Sequence, residues 1–126
     1  MGNTLGHEFE ALSGRILEAA IEVHRALGPG FLESVYENAL AIAFSHRGIR
    51  FERQREVHVW FEGQEVGLHR LDLLIEDQIV VELKAVRALE DIHFAQLKSY
   101  LKATHLHTGL LLNFNAPTLV VKRVVL

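Results

Sequence analysis

Three ionisable residues stand where a folded chain rarely leaves such groups alone. Asp72 lies within Leu71-Asp72-Leu73-Leu74-Ile75, and Glu82 and Lys84 lie within Val80-Val81-Glu82-Leu83-Lys84. Both runs are nearly continuous in apolar residues, so all three charges belong to buried strands. Taking a carboxylate or an ammonium out of water is costly unless a partner compensates. A single Glu-x-Lys can close as a buried ion pair. Asp72 makes two acids against one base, which leaves one acid in want of a cation.

Spacing says whether the three meet. A three-residue loop at Glu76-Asp77-Gln78 pairs Ile75 with Ile79, and this register sets Asp72 opposite Glu82. Opposed residues share a face, with Cβ atoms about 4.5–5.5 Å apart. Lys84, two residues beyond Glu82, falls on the same face. A slip of one residue would separate the acids. Paired carboxylates suit a hard divalent cation such as Mg²⁺, which takes oxygen ligands at about 2.0–2.1 Å and keeps water and substrate phosphate in its shell. Such an ion lowers the pKa of water and polarises a phosphoryl oxygen. A neighbouring ammonium orients that water or stabilises the pentacovalent transition state. Two acids and a lysine around one phosphate are what phosphodiester hydrolysis needs.

The elements that must position these groups can be read from periodicity. Residues 4–27 read as a helix, with Phe9, Leu12, Ile16, Ala20, Val23 and Leu27 forming one stripe. Gly28-Pro29-Gly30 breaks the chain, and a second helix is expected over 31–46 with Gly48 closing it. The period then becomes two: Ile49 and Phe51, then Val57, Val59 and Phe61, then a turn at Glu62-Gly63-Gln64 and a strand over 66–75. A strand at 79–84, a helix over 89–103 with Glu90 and Asp91 in its first turn, and strands at 108–114 and 119–125 complete the order. The late strands cannot all be hairpin partners of the early ones, so the expectation is an α/β sandwich around a mixed sheet.

The 126 residues, 49% hydrophobic and 23% charged, fit a single domain, 1–126, with one core. There is no cysteine, which excludes disulfides, thiolate metal sites and cysteine nucleophiles, and a reducing cytoplasm is the natural compartment. No apolar stretch is long enough for a membrane span, and no secretory leader is read. A formal net charge of −3 counts against a nucleic-acid binder, although bound cations would neutralise the acids of a metal site. Zinc is not expected: the eight histidines contain no His-Glu-x-x-His, and His105-x-His107 is isolated. No Gly-Lys-Ser/Thr follows Gly28-Pro29-Gly30, so no nucleotide cofactor is expected.

The run Gly30-Phe31-Leu32-Glu33-Ser34-Val35-Tyr36 fits a G-x-x-E-x-x-Y signature, and with it the chain resembles the GxxExxY protein family, placed within the PD-(D/E)XK nuclease superfamily. The resemblance runs through Glu22-Val23-His24, Asp72, Val81-Glu82-Leu83-Lys84-Ala85, Gln96-Leu97-Lys98-Ser99-Tyr100-Leu101 and Gly109-Leu110-Leu111-Leu112-Asn113-Phe114. It implies an α-β-β-β-α-β core with catalysis at Asp72, Glu82 and Lys84. It also implies a RecB-like site in which Glu33 is the third metal ligand and Gln96 and Tyr100, on one helix face, hydrogen-bond the lysine or touch DNA.

The expected function is therefore a Mg²⁺- or Mn²⁺-dependent nuclease acting on nucleic acid, DNA above RNA. The alternative is a nucleic-acid-binding or regulatory protein that keeps the fold with little turnover and acts with a partner. A third reading is a structural α/β interaction domain in which Lys84 neutralises the acids. Glu33 has a plainer role too, as an acid in the first turn of its helix, worth about 0.3–1 kcal/mol. Tyr36 continues the apolar stripe and reads as core. Candidate nucleic-acid contacts are Arg53, Arg55, Arg87, Lys98, Lys102 and His24, the last also readable as a capping residue, while His93 reads as a rim residue of the cleft. Trp60 offers a ring for base stacking or for packing. So small a core is of the kind that dimerises, or takes a partner protein, to enlarge its footprint.

Overall fold

The computed structural model describes residues 4–126, with side chains from residue 11 onward. Helices α1 (Thr4–Leu27) and α2 (Glu33–His46) precede strands β1 (Phe51–Phe61), β2 (Gln64–Ile75) and β3 (Ile79–Lys84). Helix α3 (Asp91–Thr104) follows, then β4 (Thr108–Asn113) and β5 (Val120–Val125). The strands form one five-stranded sheet in the order β1-β2-β3-β4-β5. Neighbours are antiparallel except β3 and β4, which run parallel and are joined by the crossover of α3. The mixed α/β fold is thus as expected, and β5 extends the α-β-β-β-α-β order by an antiparallel edge.

The sheet is covered on both faces. On one, α1 and α2 lay Ile16, Ala20, Tyr36, Leu40 and Phe44 on Leu73, Ile75, Val81, Leu83 and Leu112. On the other, Leu97 and Leu101 of α3 cover Leu71, Val80 and Leu111. Alternation along β3 feeds both cores, which explains why its sequence is apolar throughout. Each aliphatic side chain so buried contributes about 1.5–3 kcal/mol. The close seating of α3 needs Gly109, where a Cβ would come within 2.8 Å of Leu97 Cδ1.

The hairpin that sets the site's register closes as the spacing requires. Glu76 and Asp77 are left-handed (φ 52° and 56°), and the Gln78 N–H donates to the Ile75 carbonyl at 2.9 Å. Ile75 faces Ile79. The Glu76 carboxylate ties this turn to the start of β1 by accepting the Arg50 N–H at 2.8 Å.

Boundaries shift where local chemistry overrides period. α2 starts at Glu33 rather than 31, because Gly28 and Gly30 take positive φ (68° and 110°) and Leu32 is still extended. α3 starts at Asp91, with Glu90 as its capping residue; the Glu90 N–H donates to His93 Nδ1 at 2.9 Å, so His93 serves the helix end. β1 is continuous across Arg53 to Glu56, where no alternation marks a strand. It is an edge strand whose polar side chains pair along its length, Arg55 with Glu52 and Arg70 with Glu56. The Phe9 side chain, assigned above to the first helix's stripe, lies outside the described residues. Among the described residues no helix is long and apolar enough to cross a membrane.

Candidate active site

β2 and β3 pair only through Ile75–Ile79, Leu74–Val80 and Leu73–Val81. Beyond that point β3 follows β4, with Glu82 against Leu111 and Lys84 against Asn113, while β2 stays with β1. Side chains span the gap. Glu82 Oε2 accepts the Asp72 N–H at 2.8 Å, and Asp72 Oδ2 accepts the Leu83 N–H at 2.8 Å. The two acids are brought together as their spacing required, but they bridge parting strands instead of facing each other in an unbroken ladder.

Each carboxylate therefore spends one oxygen on backbone. Among the described residues Asp72 Oδ1 and Glu82 Oε1 accept no hydrogen bond. Burial pushes the Glu82 carboxyl up to about 8, and the charge of Asp72 pushes the same way. Asp72 is raised as well, first by burial and then by Glu33 and Glu37, against the Leu83 N–H and Lys84. Two buried acids this close resist double ionisation, so without a cation the pair holds a proton near neutral pH. Lys84 is half-buried. Among the described residues no carboxylate lies within 4.0 Å of its ammonium, so the closed ion pair that would neutralise the acids is not formed. Its backbone is fixed: the Lys84 carbonyl accepts the Phe114 N–H at 2.9 Å. The buried Asn113 clamps the chain just beyond, accepting the Val86 N–H at 3.1 Å and donating to the Val86 carbonyl at 2.9 Å.

From α2, Glu33 and Glu37 stand one turn apart and line a cleft of about 320 Å³ together with Asp72, Leu83 and Gln54. Glu33 is exposed and Glu37 buried. Glu37 accepts from Arg53 Nε at 3.0 Å and from Gln54 Nε2 at 2.7 Å. Gln54 is left-handed (φ 53°) inside β1, between the pairs Arg53–Leu73 and Arg55–Leu71. A non-glycine residue held there stores strain that its surroundings must overcome; the Glu37 contact supplies part of that hold. Tyr36 is core, as its stripe indicates. It is fully buried, it stacks on Phe114 at 4.5 Å, and its hydroxyl donates to the Gly28 carbonyl at 2.6 Å. The Gly-x-x-Glu-x-x-Tyr run thus pins the loop with its tyrosine and presents its glutamate to the cleft.

From α3, Gln96 and Tyr100 share one face. Tyr100 is half-buried and stacks on His69 at 3.5 Å and 15°. Its hydroxyl is raised by burial and then by the charges of Glu82 and Asp72. His69 is lowered by burial and then by Lys84. Gln96 is exposed and makes no side-chain hydrogen bond among the described residues.

The basic residues part company. Arg53 is held by Glu37 at 3.0 Å and touches Asn38. Arg55 pairs with Glu52 at 3.0 Å. Arg87, Lys98 and Lys102 are exposed. His24 is not brought to the cleft: it is buried, with Nε2 at 2.8 Å from the Ala116 carbonyl and its ring beside Phe114. Glu37, Gln54, His69 and Asn113 enter without having been singled out. Glu37 had a legible signal, four residues after Glu33 and so on the same helix face.

Among the described residues no three His, Asp or Glu side chains are gathered closely enough to cage an ion. Asp72 and Glu82 are nevertheless hard oxygen donors, each with one uncommitted oxygen, in a site that retains a proton an ion would displace. That donor set fits a cation that keeps waters and takes substrate oxygens, as Mg²⁺ does.

A family model described as the PD-(D/E)XK nuclease superfamily matches residues 10–124. No curated protein matches the chain. A crystal structure described as that of SSO0001 is similar, with a TM-score of 0.54 and 18% identity over 73% of this chain and 48% of that one. The likeness at this identity is one of fold, and the chain spans about half the length of that relative.

Proposed function

The chain belongs to the PD-(D/E)XK nuclease superfamily, and from that premise we propose that it is a Mg²⁺- or Mn²⁺-dependent nuclease that cleaves DNA. The observation that carries the proposal is the reciprocal bridging of Asp72 and Glu82 beside a lysine that closes no ion pair among the described residues. Asp72 and Glu82 would hold the ion, each having one oxygen that accepts no hydrogen bond among the described residues. Glu33, which lines the same cleft as Asp72, would be the third ligand. A divalent ion bound there supplies charge to polarise the scissile phosphate and to acidify water. The Lys84 ammonium, left unpaired at the same strand end, positions the attacking water and offsets charge developing on phosphate. Tyr100 supports the site from α3, where its ring is fixed by His69, and Gln96 reaches the substrate from the same helix face. Within the superfamily, the Gly30 to Tyr36 run and the Gln96/Tyr100 pair support the GxxExxY family and a RecB-like arrangement. Arg87, Lys98 and Lys102 are the cations best exposed for phosphate contacts, each of which would steepen the salt dependence of binding.

A second reading, a nucleic-acid-binding protein of this fold with little turnover, is favoured by the lack of three gathered ligands among the described residues. One panel decides between them. Single- and double-stranded DNA and RNA are incubated with the wild type, Asp72→Asn and Lys84→Met, with Mg²⁺, with Mn²⁺ and with EDTA. Cleavage by the wild type alone, abolished by EDTA, supports the nuclease. Equal residual cleavage in all three proteins sinks it.

A further inference from the structure

The seam between β1 and α3 carries features the acidic site does not use. Trp60, the only tryptophan, is 64% exposed on the edge strand and Val59 beside it 39%. They line a groove of about 440 Å³ whose other wall is α3, with Lys102, Ala103 and His105. Among the described residues no carboxylate lines this groove, although the chain as a whole has a formal charge of −3. Among the described residues Lys102 and His105 form no ion pair; His58, also in the wall, is offset by Glu65. A second groove shares Trp60 and Ala103 with the first and runs along β1 to Val57 and Leu71. Glu56 and Asp77 line that second stretch, and Glu65 stands opposite Trp60 on β2, bonded to His58, so the fixed positive charge in the wall beside Trp60 is that of Lys102.

The strand and helix that wall the seam also carry His69 and Tyr100. His69 pairs with Val57, three residues before Trp60 and so about 10 Å from it along the strand. Tyr100, stacked on His69, lies one helical turn before Ala103. The His69–Tyr100 stack adjoins the wall of the seam at Val57, and the outer end of the seam carries an exposed indole beside Lys102.

We propose that this seam binds single-stranded nucleic acid, with Trp60 stacking an unpaired base and Lys102 contacting the phosphate beside it. An indole face accepts any base, but only a base out of a duplex offers its own face. The Lys102 ammonium, which forms no ion pair among the described residues, matches a phosphate. The proposal rests on the nuclease reading and deepens it by naming the strand state of the substrate that approaches the acids.

The test uses the whole chain in EDTA, so that binding is read without cleavage. The probes are an oligothymidylate about 12 nucleotides long, within the range such grooves cover, and a duplex of equal length. The single strand is expected to quench Trp60 emission, with the duplex binding about tenfold more weakly. Trp60→Leu is expected to weaken single-strand binding, read by anisotropy, about tenfold, and Trp60→Phe to recover most of it. Lys102→Gln lowers the salt slope by about one. Anisotropy showing oligonucleotide bound at full affinity to Trp60→Leu, with no quenching in the wild type, overturns the seam while leaving cleavage intact as a separate reading. A change in Trp60 emission that tracks protein concentration and self-association without oligonucleotide also overturns it, as a face for a second copy. Quenching without any Mg²⁺- or Mn²⁺-dependent cleavage upholds the seam and removes the nuclease reading.

Discussion

Asp72 and Glu82 are joined through each other's strands: the Glu82 carboxylate accepts the Asp72 N–H, and the Asp72 carboxylate accepts the Leu83 N–H, both at 2.8 Å. Two side chains replace the ladder where β2 and β3 part. The arrangement satisfies backbone donors and fixes both carboxylates with no ion pair to either among the described residues. Its electrostatic tension is relieved by a proton or by a cation, and the proposed function depends on the second.

Isosteric neutralisation separates these roles. Asp72→Asn and Glu82→Gln keep a carbonyl oxygen to accept each N–H and remove one buried charge apiece. Both variants are expected to fold, with melting temperatures at pH 9 equal to or above that of the wild type. Both should lose at least about 10² in metal-dependent cleavage, the order of removing one electrostatic contributor to a transition state. A fall in melting temperature with cleavage retained would assign the pair to structure.

Stability without metal is expected to fall as pH rises. The Glu82 carboxyl goes from an ordinary 4.5 to about 8 in the folded chain, chiefly by burial. Between those values the folded state holds a proton that the unfolded state has released, so stability decreases with pH across that window and levels off above about 8. Asp72, raised in the same way, adds to the trend. Mg²⁺ competes with that proton, so its stabilising effect grows over the same range. Denaturant midpoints at pH 5, 7 and 9, with EDTA and with Mg²⁺, check both slopes. A flat metal-free profile in that window would mean that the acids are not held as described.

Arg53 and Arg55 sit two apart on β1 and differ in what they hold. The Arg53–Glu37 pair has side chains 41% and 11% exposed, whereas those of Arg55–Glu52 are 47% and 50% exposed. Arg53→Met leaves Glu37 buried with only Gln54 as partner, and a loss of about 1–3 kcal/mol is expected in urea unfolding. Arg55→Met is expected within about 0.5 kcal/mol of the wild type, since an exposed pair of this kind contributes little. Equal losses in the two variants would mean that Glu37 is not dependent on Arg53.

The sequence made the register legible because a two-residue period and a short acidic turn constrain each other. Ile75 had to meet Ile79, and the apolar runs then carried Asp72, Glu82 and Lys84 to one strand end. Periodicity says nothing of where a ladder stops, so the parting of β2 from β3 was hidden: it arises because β3 leaves with its parallel partner β4, a contact long in sequence. Gln54 was hidden for a related reason, since its left-handed backbone interrupts alternation in a polar stretch that carries no apolar signal. His24 reads as a phosphate contact because it precedes the Gly28 turn, yet the loop at Ala116 closes over it. Glu37 lay one turn beyond Glu33, and its burial follows from Arg53 and Gln54 reaching it from β1, an interaction no local pattern announces.

Lys84 gives the sharpest separation of binding from chemistry. Its ammonium is within electrostatic reach of both acids and lowers each of them, yet no ion pair at or below 4.0 Å ties it to either among the described residues. A lysine whose work was to neutralise the acids would lie closer, and its loss would unfold the chain or leave the pair more heavily protonated with little else changed. A lysine that acts on the substrate gives a different pattern. Lys84→Met should retain the fold and bind Mn²⁺ within a few-fold of the wild type, because both carboxylates and their backbone anchors at Leu83 and Asp72 remain. Its cleavage rate at saturating metal should fall about 10²–10³-fold, the scale of one preorganised charge at a transition state. Lys84→Arg should restore charge without restoring rate, since a planar guanidinium does not place one donor where a compact ammonium does. Calorimetric Mn²⁺ binding set beside single-turnover cleavage distinguishes the cases. Parallel loss of metal affinity and rate would assign Lys84 to the ion's shell, and unchanged rate would take it out of the mechanism.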